Sequence, residues 1–162
     1  MALHPQGSIL QFHLHGRGAS VLQTLSIENS KHAIRVEGHP AFGGKDSAPS
    51  PLDYALASVA ACNQVTSVIV ARELGVELGA FDIDVRAELD NSVLIFGVDG
   101  ESNFSRLILE VVIETNADDA TFQKLAREVE RRCPLTRLFV GSGVDVVIAW
   151  RNASLAAIAR AG

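Results

Sequence analysis

A long apolar helix constrains this chain more than any other feature of its sequence. Ser50 can cap a helix, Pro51 suits the first helical position, and Asp53 stands where a capping box places its acid. Residues 52–74 are then rich in alanine, leucine and valine on almost every face, and Gly75 ends the segment. Because a helix that is apolar all round must be buried, we predict that it lies at the centre of the fold or of an oligomer.

Composition and charge indicate a single-domain protein that neither binds nucleic acid nor spans a membrane. A chain of 162 residues, 48% of them hydrophobic, is long enough to bury one core, so we predict a single domain over residues 1–162. The 14 lysine and arginine residues are outnumbered by 19 acidic ones, which argues against nucleic acid as a partner. Asp53, Asn63 and Gln64 lie in the apolar run, and they argue against a membrane span because such groups are costly in lipid.

The chain contains two cysteines, Cys62 and Cys133. The N-terminal residues show no cationic segment followed by an apolar run, so no secretory signal is visible and we expect a cytoplasmic protein. In a reducing compartment, two cysteines are more often free, catalytic or transiently paired than permanently bridged. A lone cysteine on an alanine-rich helix is most often a small core residue. The local sequences around both cysteines therefore decide their role.

Hydrophobic periodicity predicts the element order β-β-β-α-β-β-α-β. The segments predicted as strands are residues 9–15, 21–27, 33–37, 81–89, 107–115 and 144–150. Gly16-Arg17-Gly18 is predicted to form a tight hairpin turn. The segment between residues 89 and 107 is predicted to be a connection or a wide hairpin, and residues 155–162 form an alanine-rich tail that is a helical candidate.

A second helix is predicted to begin at Asn116 and to end at Cys133. The residues that share its apolar face at spacings of three and four are Phe122, Leu125, Ala126, Val129 and Cys133. Cys133 is therefore expected to point inward. Pro134 restricts the residue before it to an extended conformation, so the helix should stop there, with a short turn over residues 135–140.

Several motifs stand in a specific order along the chain. They are Pro49-Ser50-Pro51 with an acid close behind it, Ala60-Ala61-Cys62, Thr66 on the helix that runs to Gly75, the hydrophobic strand over residues 81–89, and Arg132-Cys133-Pro134. In these motifs the chain resembles the OsmC/Ohr family of thiol-dependent peroxidases, the osmotically inducible and organic hydroperoxide resistance proteins. The resemblance covers residues 8–150, and its specificity comes from the two cysteine motifs occurring together.

The resemblance implies an intertwined α+β homodimer, with the cysteine-bearing helices at its centre and two active sites near the interface. It implies that Cys62 is the peroxidatic cysteine, which attacks an organic hydroperoxide or hydrogen peroxide, and that Cys133 is the resolving cysteine. It further implies an external dithiol reductant, of the dihydrolipoyl or a similar type. No cofactor and no metal are expected.

An arginine from the N-terminal strands and an acid early in the first helix complete the family's site. Ohr-type members have glutamate directly after the helix-opening proline, where this chain has Leu52 followed by Asp53. This arrangement resembles the OsmC-like branch rather than Ohr proper, and it makes Asp53 the candidate acid. Arg17 is the best match for the family arginine, and Arg35 is the alternative.

The helix that carries Cys62 cannot activate its thiol. Cys62 lies twelve residues beyond Ser50, whereas the helix macrodipole acts within about one turn of the helix end. Because burial raises the pKa of a thiol, a nucleophilic cysteine here needs a nearby cation such as an arginine. Asp53 lies nine residues before Cys62, about 13 Å along a regular helix, so a catalytic Asp53 would act across a dimer interface or by holding the arginine.

Each candidate also has a purely structural interpretation. Asp53 can serve only to cap its helix, and Arg17 can be a solvated turn residue. His13 and His15 share one strand face, but two histidines without a third ligand give weak support to a metal site. Three arginines lie near the second cysteine in the sequence, namely Arg131, Arg132 and Arg137. They either activate its thiol or complement the negative end of a helix dipole at its C-terminus.

Two other functions stay open on the sequence alone. One is a binding protein that holds a small hydrophobic ligand in an apolar dimer cleft, which Leu52 in place of glutamate suggests. Two sulfur atoms too far apart to bridge would favour it. The other is a thiol sensor whose oxidation alters partner binding, which predicts slow turnover and no good reductant.

Overall fold

The structure is a computed structural model that describes residues 9–155. Its strands are β1 Leu14–Ala19, β2 Leu22–Ile27, β3 Ala33–Glu37, β4 Leu78–Leu89, β5 Phe104–Thr115 and β6 Asp145–Ser154. Its α-helices are α1 Pro51–Leu74, α2 Ser92–Phe96, α3 Asp119–Arg132 and α4 Pro134–Gly141. This confirms the predicted α+β class and the order of the predicted elements, to which the structure adds the short helices α2 and α4.

The chain divides into two compact units, Met1–Asp53 and Tyr54–Gly162, and each contains one three-stranded sheet. The prediction of a single domain over residues 1–162 stays a prediction. The alanine-rich tail predicted over residues 155–162 lies outside the described residues beyond Leu155.

The first unit contains the antiparallel sheet β1-β2-β3. Its register pairs Arg17 with Thr24 and Thr24 with Arg35. Directly paired residues of neighbouring strands project from the same face of a sheet. Both candidate arginines therefore lie on one face, on strands separated by β2, which places their backbones about 10 Å apart.

The predicted turn at Gly16-Arg17-Gly18 is wrong, because these residues lie inside β1. The hairpin turns at Ser20 and Val21 instead, and Ser20 adopts a positive φ of 55°. A Cβ atom on Gly18 would lie 2.3 Å from the carbonyl oxygen of Leu22, so glycine allows a close approach of two strands here. The strand predicted over residues 9–15 is correspondingly displaced, and only its last two residues belong to β1.

The second unit is built around β5, the middle strand of the sheet β4-β5-β6. β5 pairs antiparallel with β4 and parallel with β6, and α3 and α4 form the crossover between the two parallel strands. In the middle of β5, every second residue from Leu107 to Ile113 is at most 1% exposed, namely Leu107, Leu109, Val111 and Ile113. These residues form one core with Phe122, Leu125 and Val129 of α3 and with Val59 and Val70 of α1.

Within one chain, helix α1 is only partly covered by other residues. By length and composition it could cross a membrane, a test that the core helix of a water-soluble protein also passes. Asn63 and Ser67 on this helix are fully buried and hydrogen-bonded to protein groups. In contrast, the apolar side chains of Val65, Val68 and Ile69 are exposed. The prediction of a helix apolar all round therefore holds for its composition, and one of its faces is not covered by other residues in the described part of the chain.

Two boundaries in the second unit differ from the sequence prediction. The cap of α3 is Asp118, whose carboxylate accepts from the Thr121 amide at 2.8 Å, and not Asn116. The Asn116 side chain is engaged elsewhere, because its Oδ1 accepts from the Glu77 amide at 3.0 Å. The predicted turn over residues 135–140 is wrong as well, since this segment forms the helix α4.

Candidate functional site

Cys133 lies at the junction of two helices. It ends α3 with φ −69° and ψ 113°, the extended conformation that the following proline favours, and it is at the same time the N-cap of α4. Pro134 occupies the first position of α4, where its missing amide hydrogen costs no intrahelical bond. The Cys133 side chain is 0% exposed, which confirms that it points inward.

The structure brings the two cysteines together. Cys62 lies in the middle of α1, half-buried, and Cys133 is near enough to its thiol to raise the pKa of Cys62. Both cysteines are free. The site thus pairs a partly accessible thiol with an inaccessible one across 71 residues of sequence (133 − 62 = 71).

The N-terminus of α4 donates hydrogen bonds to both sulfur atoms. The backbone amide of Leu135 donates to the Cys62 sulfur, and the backbone amide of Thr136 donates to Cys133 Sγ at 3.5 Å. These are amides that a helix leaves without intrahelical partners in its first turn. They carry the positive end of the helix dipole, which favours a thiolate.

Burial and these donors act on the Cys62 thiol in opposite directions. Burial raises the pKa of Cys62 above its ordinary value, and the neighbouring Cys133 raises it further. The Leu135 amide and the Thr66 hydroxyl lower it. The raised pKa agrees with the expectation that burial works against the thiolate. The sequence alone does not predict the hydrogen bond from the first turn of α4 to the Cys62 sulfur. The proline after Cys133 does indicate that a helix can begin there, because proline suits the first helical position.

Asn63 connects α1 to the first turn of α4. Its side chain is fully buried, and Nδ2 donates to the Val59 carbonyl at 2.8 Å and to Thr136 Oγ1 at 3.0 Å. Among the described residues, its Oδ1 has no hydrogen-bond partner. An unpaired buried polar atom costs about 1–3 kcal/mol, so this amide needs a compensating role.

The arginines beside Cys133 are engaged by acids. Arg132 forms a bidentate pair with Glu73 at 2.5 and 2.8 Å, which ties the end of α3 to the end of α1. Arg131 pairs with Glu128 at 2.7 Å within α3. These contacts favour a structural role for both residues over activation of the neighbouring thiol. Arg137 is exposed on α4.

Both arginines predicted to activate Cys62 lie in the first unit. Arg17 donates from Nε to His15 Nε2 at 3.3 Å, and Arg35 donates from Nη2 to Ser47 Oγ at 3.3 Å. Arg17 is an exposed strand residue and not a turn residue. The choice between Arg17 and Arg35 stays a prediction.

Asp53 forms the predicted capping box. Its Oδ2 accepts from the Ser50 amide at 2.9 Å and from the Ser50 hydroxyl at 2.7 Å, while its own amide donates to Ser50 Oγ at 3.2 Å. The hydrogen bonds from Ser50 hold the pKa of Asp53 below its usual value. The capping interpretation is thereby confirmed, and the role of the family acid stays a prediction.

Asp53→Ala should lower the free energy of unfolding by about 1 kcal/mol at pH 7, because the carboxylate leaves the capping box. A carboxyl whose pKa is depressed in the folded state stabilises the protein above its unfolded pKa of about 3.9. That contribution is lost as the pH falls through the lower, folded value. Urea unfolding at pH 7 and pH 3 should therefore show a smaller difference between variant and wild type at pH 3.

The matched control is Asp53→Glu, which keeps the usual acid of a capping box and should retain most of the stability. If Asp53→Ala has the wild-type free energy of unfolding at pH 7 but its Cys62 reacts more slowly, the role of Asp53 is not limited to capping α1.

The two histidines on the N-terminal segment have acid and arginine neighbours. His13 Nδ1 lies 3.3 Å from Glu28 Oε2, and His15 accepts from Arg17. Over residues 9–155, no group of three or more histidine, cysteine, aspartate and glutamate side chains is arranged to hold a metal ion.

Comparison with known proteins identifies the family to which this chain belongs. The sequence model of the family described as OsmC-like protein matches residues 44–149. The chain belongs to the OsmC-like protein family. No curated protein sequence matches it.

Solved structures share the fold at low sequence identity. An OsmC-like protein from Mycoplasma pneumoniae matches with a TM-score of 0.74 and 16% identity, covering 89% of this chain and 98% of that one. An organic hydroperoxide resistance protein from Elizabethkingia anophelis matches with a TM-score of 0.71 and 15% identity, covering 91% and 100%. An organic hydroperoxide resistance protein OsmC from Legionella pneumophila matches with a TM-score of 0.66 and 16% identity, covering 89% and 98%.

Proposed function

We propose that this protein is a thiol-dependent peroxidase that reduces organic hydroperoxides, and hydrogen peroxide as a further substrate, through Cys62 and Cys133. The observation that carries the proposal is the contact between two free thiols of unequal exposure. Cys62 is half-buried and can meet a small oxidant, whereas Cys133 is fully buried behind it. The peroxidatic role therefore falls to Cys62 and the resolving role to Cys133.

The chemistry proceeds in three balanced steps. The Cys62 thiolate attacks the terminal oxygen of the hydroperoxide and breaks the O–O bond, which leaves a sulfenic acid on Cys62 and an alkoxide that takes up a proton to become the alcohol. Cys133 then attacks the sulfenic sulfur, forming a disulfide and releasing water. An external dithiol, of the lipoyl or a similar type, reduces the disulfide by exchange and is itself oxidised.

Formation of the Cys62 thiolate needs more than its immediate neighbours supply. The Leu135 amide and the Thr66 hydroxyl lower the pKa of Cys62, but burial outweighs them. We assign the missing positive charge to an arginine of the first unit, Arg17 or Arg35, because a guanidinium stays charged and can fork between a sulfur and a carboxylate. In this proposal Asp53 orients that arginine in addition to capping α1.

The active protein is proposed to be a homodimer. Val68 and Ile69 lie three and four residues after Val65 on α1, so these exposed apolar side chains form one face that a second copy would cover. A molar mass of twice the chain in light scattering is the expected result. We place the dimer in the cytoplasm, where a reducing environment returns the pair to its thiol form.

The contact between the thiols favours the peroxidase over the alternative of a ligand-binding protein. That alternative would be favoured by sulfur atoms too far apart to bridge. Here the two thiols are neighbours, and Cys133 raises the pKa of Cys62.

Stopped-flow mixing of the reduced protein with cumene hydroperoxide tests the proposed function. One equivalent of hydroperoxide should yield one equivalent of cumyl alcohol and remove both free thiols of each chain. The control is protein whose thiols have been blocked with iodoacetamide, which should consume no hydroperoxide. Equal inertness of the reduced and blocked proteins would refute the peroxidase.

A further inference from the structure

Asn63 lies beside the thiol pair and has contacts that packing alone does not explain. The orientation of its amide is fixed, because only an N–H group can face the Val59 carbonyl at 2.8 Å. This orientation leaves Oδ1 buried without a partner in the described part of the chain. An apolar side chain of similar shape would fill the same space without that cost. The contacts made by Nδ2 therefore indicate a specific role for Asn63.

The second Nδ2 contact reaches the residue that holds Cys133. Thr136 accepts from Asn63 through its hydroxyl, and its backbone amide donates to the Cys133 sulfur. Thr136 is itself buried. Residue 63 directly follows Cys62 in the sequence, so the chain of contacts runs from one cysteine through Asn63 and Thr136 to the other.

We propose that Asn63 is a positioning residue for disulfide formation. Its amide fixes the first turn of α4 against α1, so that Cys133 is held beside Cys62 when Cys62 has been oxidised. This inference rests on the proposed use of the two cysteines as a redox pair. Asn63 is expected to act on the second step, the attack by Cys133, and to leave the reaction of Cys62 with an external reagent unchanged.

The experiment separates these two steps with reagents other than peroxide. Diamide oxidises Cys62 and Cys133 to the disulfide and is reduced to the hydrazine, so loss of both thiols reports disulfide formation. Iodoacetamide, used on the same variants in the Cys133→Ser background, reports the reactivity of Cys62 alone. In Asn63→Leu and Thr136→Val, disulfide formation should slow by about 10- to 100-fold, because a displacement near 1 Å has effects of this size. The rate of Cys62 alkylation should stay within about twofold of wild type, a much smaller change than the expected slowing of disulfide formation.

Two matched variants distinguish positioning from general loss of packing. Ser67→Ala removes a fully buried hydroxyl one turn further along α1, whose bond goes to the backbone carbonyl of Asn63. It should form the disulfide at the wild-type rate. Thr136→Ser keeps the hydroxyl that Asn63 contacts and should restore the rate lost in Thr136→Val.

A wild-type rate of disulfide formation in Asn63→Leu would overturn the proposal. If that variant does not fold, equal rates in Thr136→Val and Thr136→Ser would overturn it instead. Failure of the peroxidase itself has a different signature. A wild-type protein inert to cumene hydroperoxide, whose diamide reaction still depends on Asn63 and Thr136, would refute the peroxidase and support the role of Asn63.

Discussion

Cys133→Ser should consume one equivalent of hydroperoxide per chain and then stop, whereas Cys62→Ser should consume none. In the first variant Cys62 can still be oxidised, but no second thiol is present to form the disulfide. The sulfenic acid should therefore accumulate and react with dimedone, which adds a mass detectable by mass spectrometry. In the second variant the remaining cysteine is fully buried, so steady-state turnover with a dithiol should fall by at least about a thousandfold, as expected when a nucleophile is lost.

The two serine variants serve as controls for each other. Each variant replaces one sulfur atom of the neighbouring pair with oxygen. The thiol that remains is partly accessible in Cys133→Ser and buried in Cys62→Ser. Dimedone labelling of Cys133 in Cys62→Ser, at the rate seen for Cys62 in the other variant, would reverse the assignment of roles.

Leu125→Ala should lower the free energy of unfolding by about 3–4 kcal/mol. Leu125 is 0% exposed on α3 and belongs to the core that covers β5. Its truncation leaves a cavity that the surrounding core, which includes residues of β5 and α1, cannot close without moving. Urea unfolding followed by the fluorescence of the single tryptophan, Trp150, measures the change.

The control for the core variant is Leu138→Ala on α4, where the side chain is 64% exposed. The same atoms are removed, but little surface is buried, so the loss should stay below about 1 kcal/mol. Both variants need the same protein concentration, because dimer formation would add to the apparent stability. Similar losses in the two variants would show that the described core is not the main source of stability.

Local sequence signals were sufficient to predict the elements that position the cysteines. The capping box of Ser50 and Asp53 forms as predicted at the start of α1. The Cys133-Pro134 pair likewise ends α3 where the restriction before proline requires. In both cases the determining atoms lie within three or four residues of each other, so the sequence contains the whole interaction.

The errors have two origins. Glycine occurs both in turns and where two strands approach closely, so Gly16 and Gly18 predict a turn, whereas Gly18 in fact allows β1 to approach the backbone at Leu22. The effect of the Leu135 amide on the Cys62 thiol has another origin, because these residues meet only after the chain has folded. The sequence therefore assigns the activating group to an arginine and does not reveal the donors in the first turn of α4.

The register of the first sheet does not decide between the two candidate arginines. Arg17 and Arg35 both pair with Thr24 and project from the same face of the sheet. The preference for Arg17 over Arg35 therefore rests on the family resemblance alone.

The amides of α4 that donate to both sulfurs also bear on the energetics of the redox cycle. A thiolate accepts a hydrogen bond more strongly than a neutral disulfide sulfur, because the acceptor is charged. When Cys62 is ionised, the first turn of α4 therefore stabilises the reduced pair more than the oxidised one. By the relation between free energy and reduction potential, this makes the Cys62–Cys133 couple more oxidising than the same two residues would be without the helix. The direction suits the proposed peroxidase, since an external dithiol reduces a more oxidising disulfide more readily.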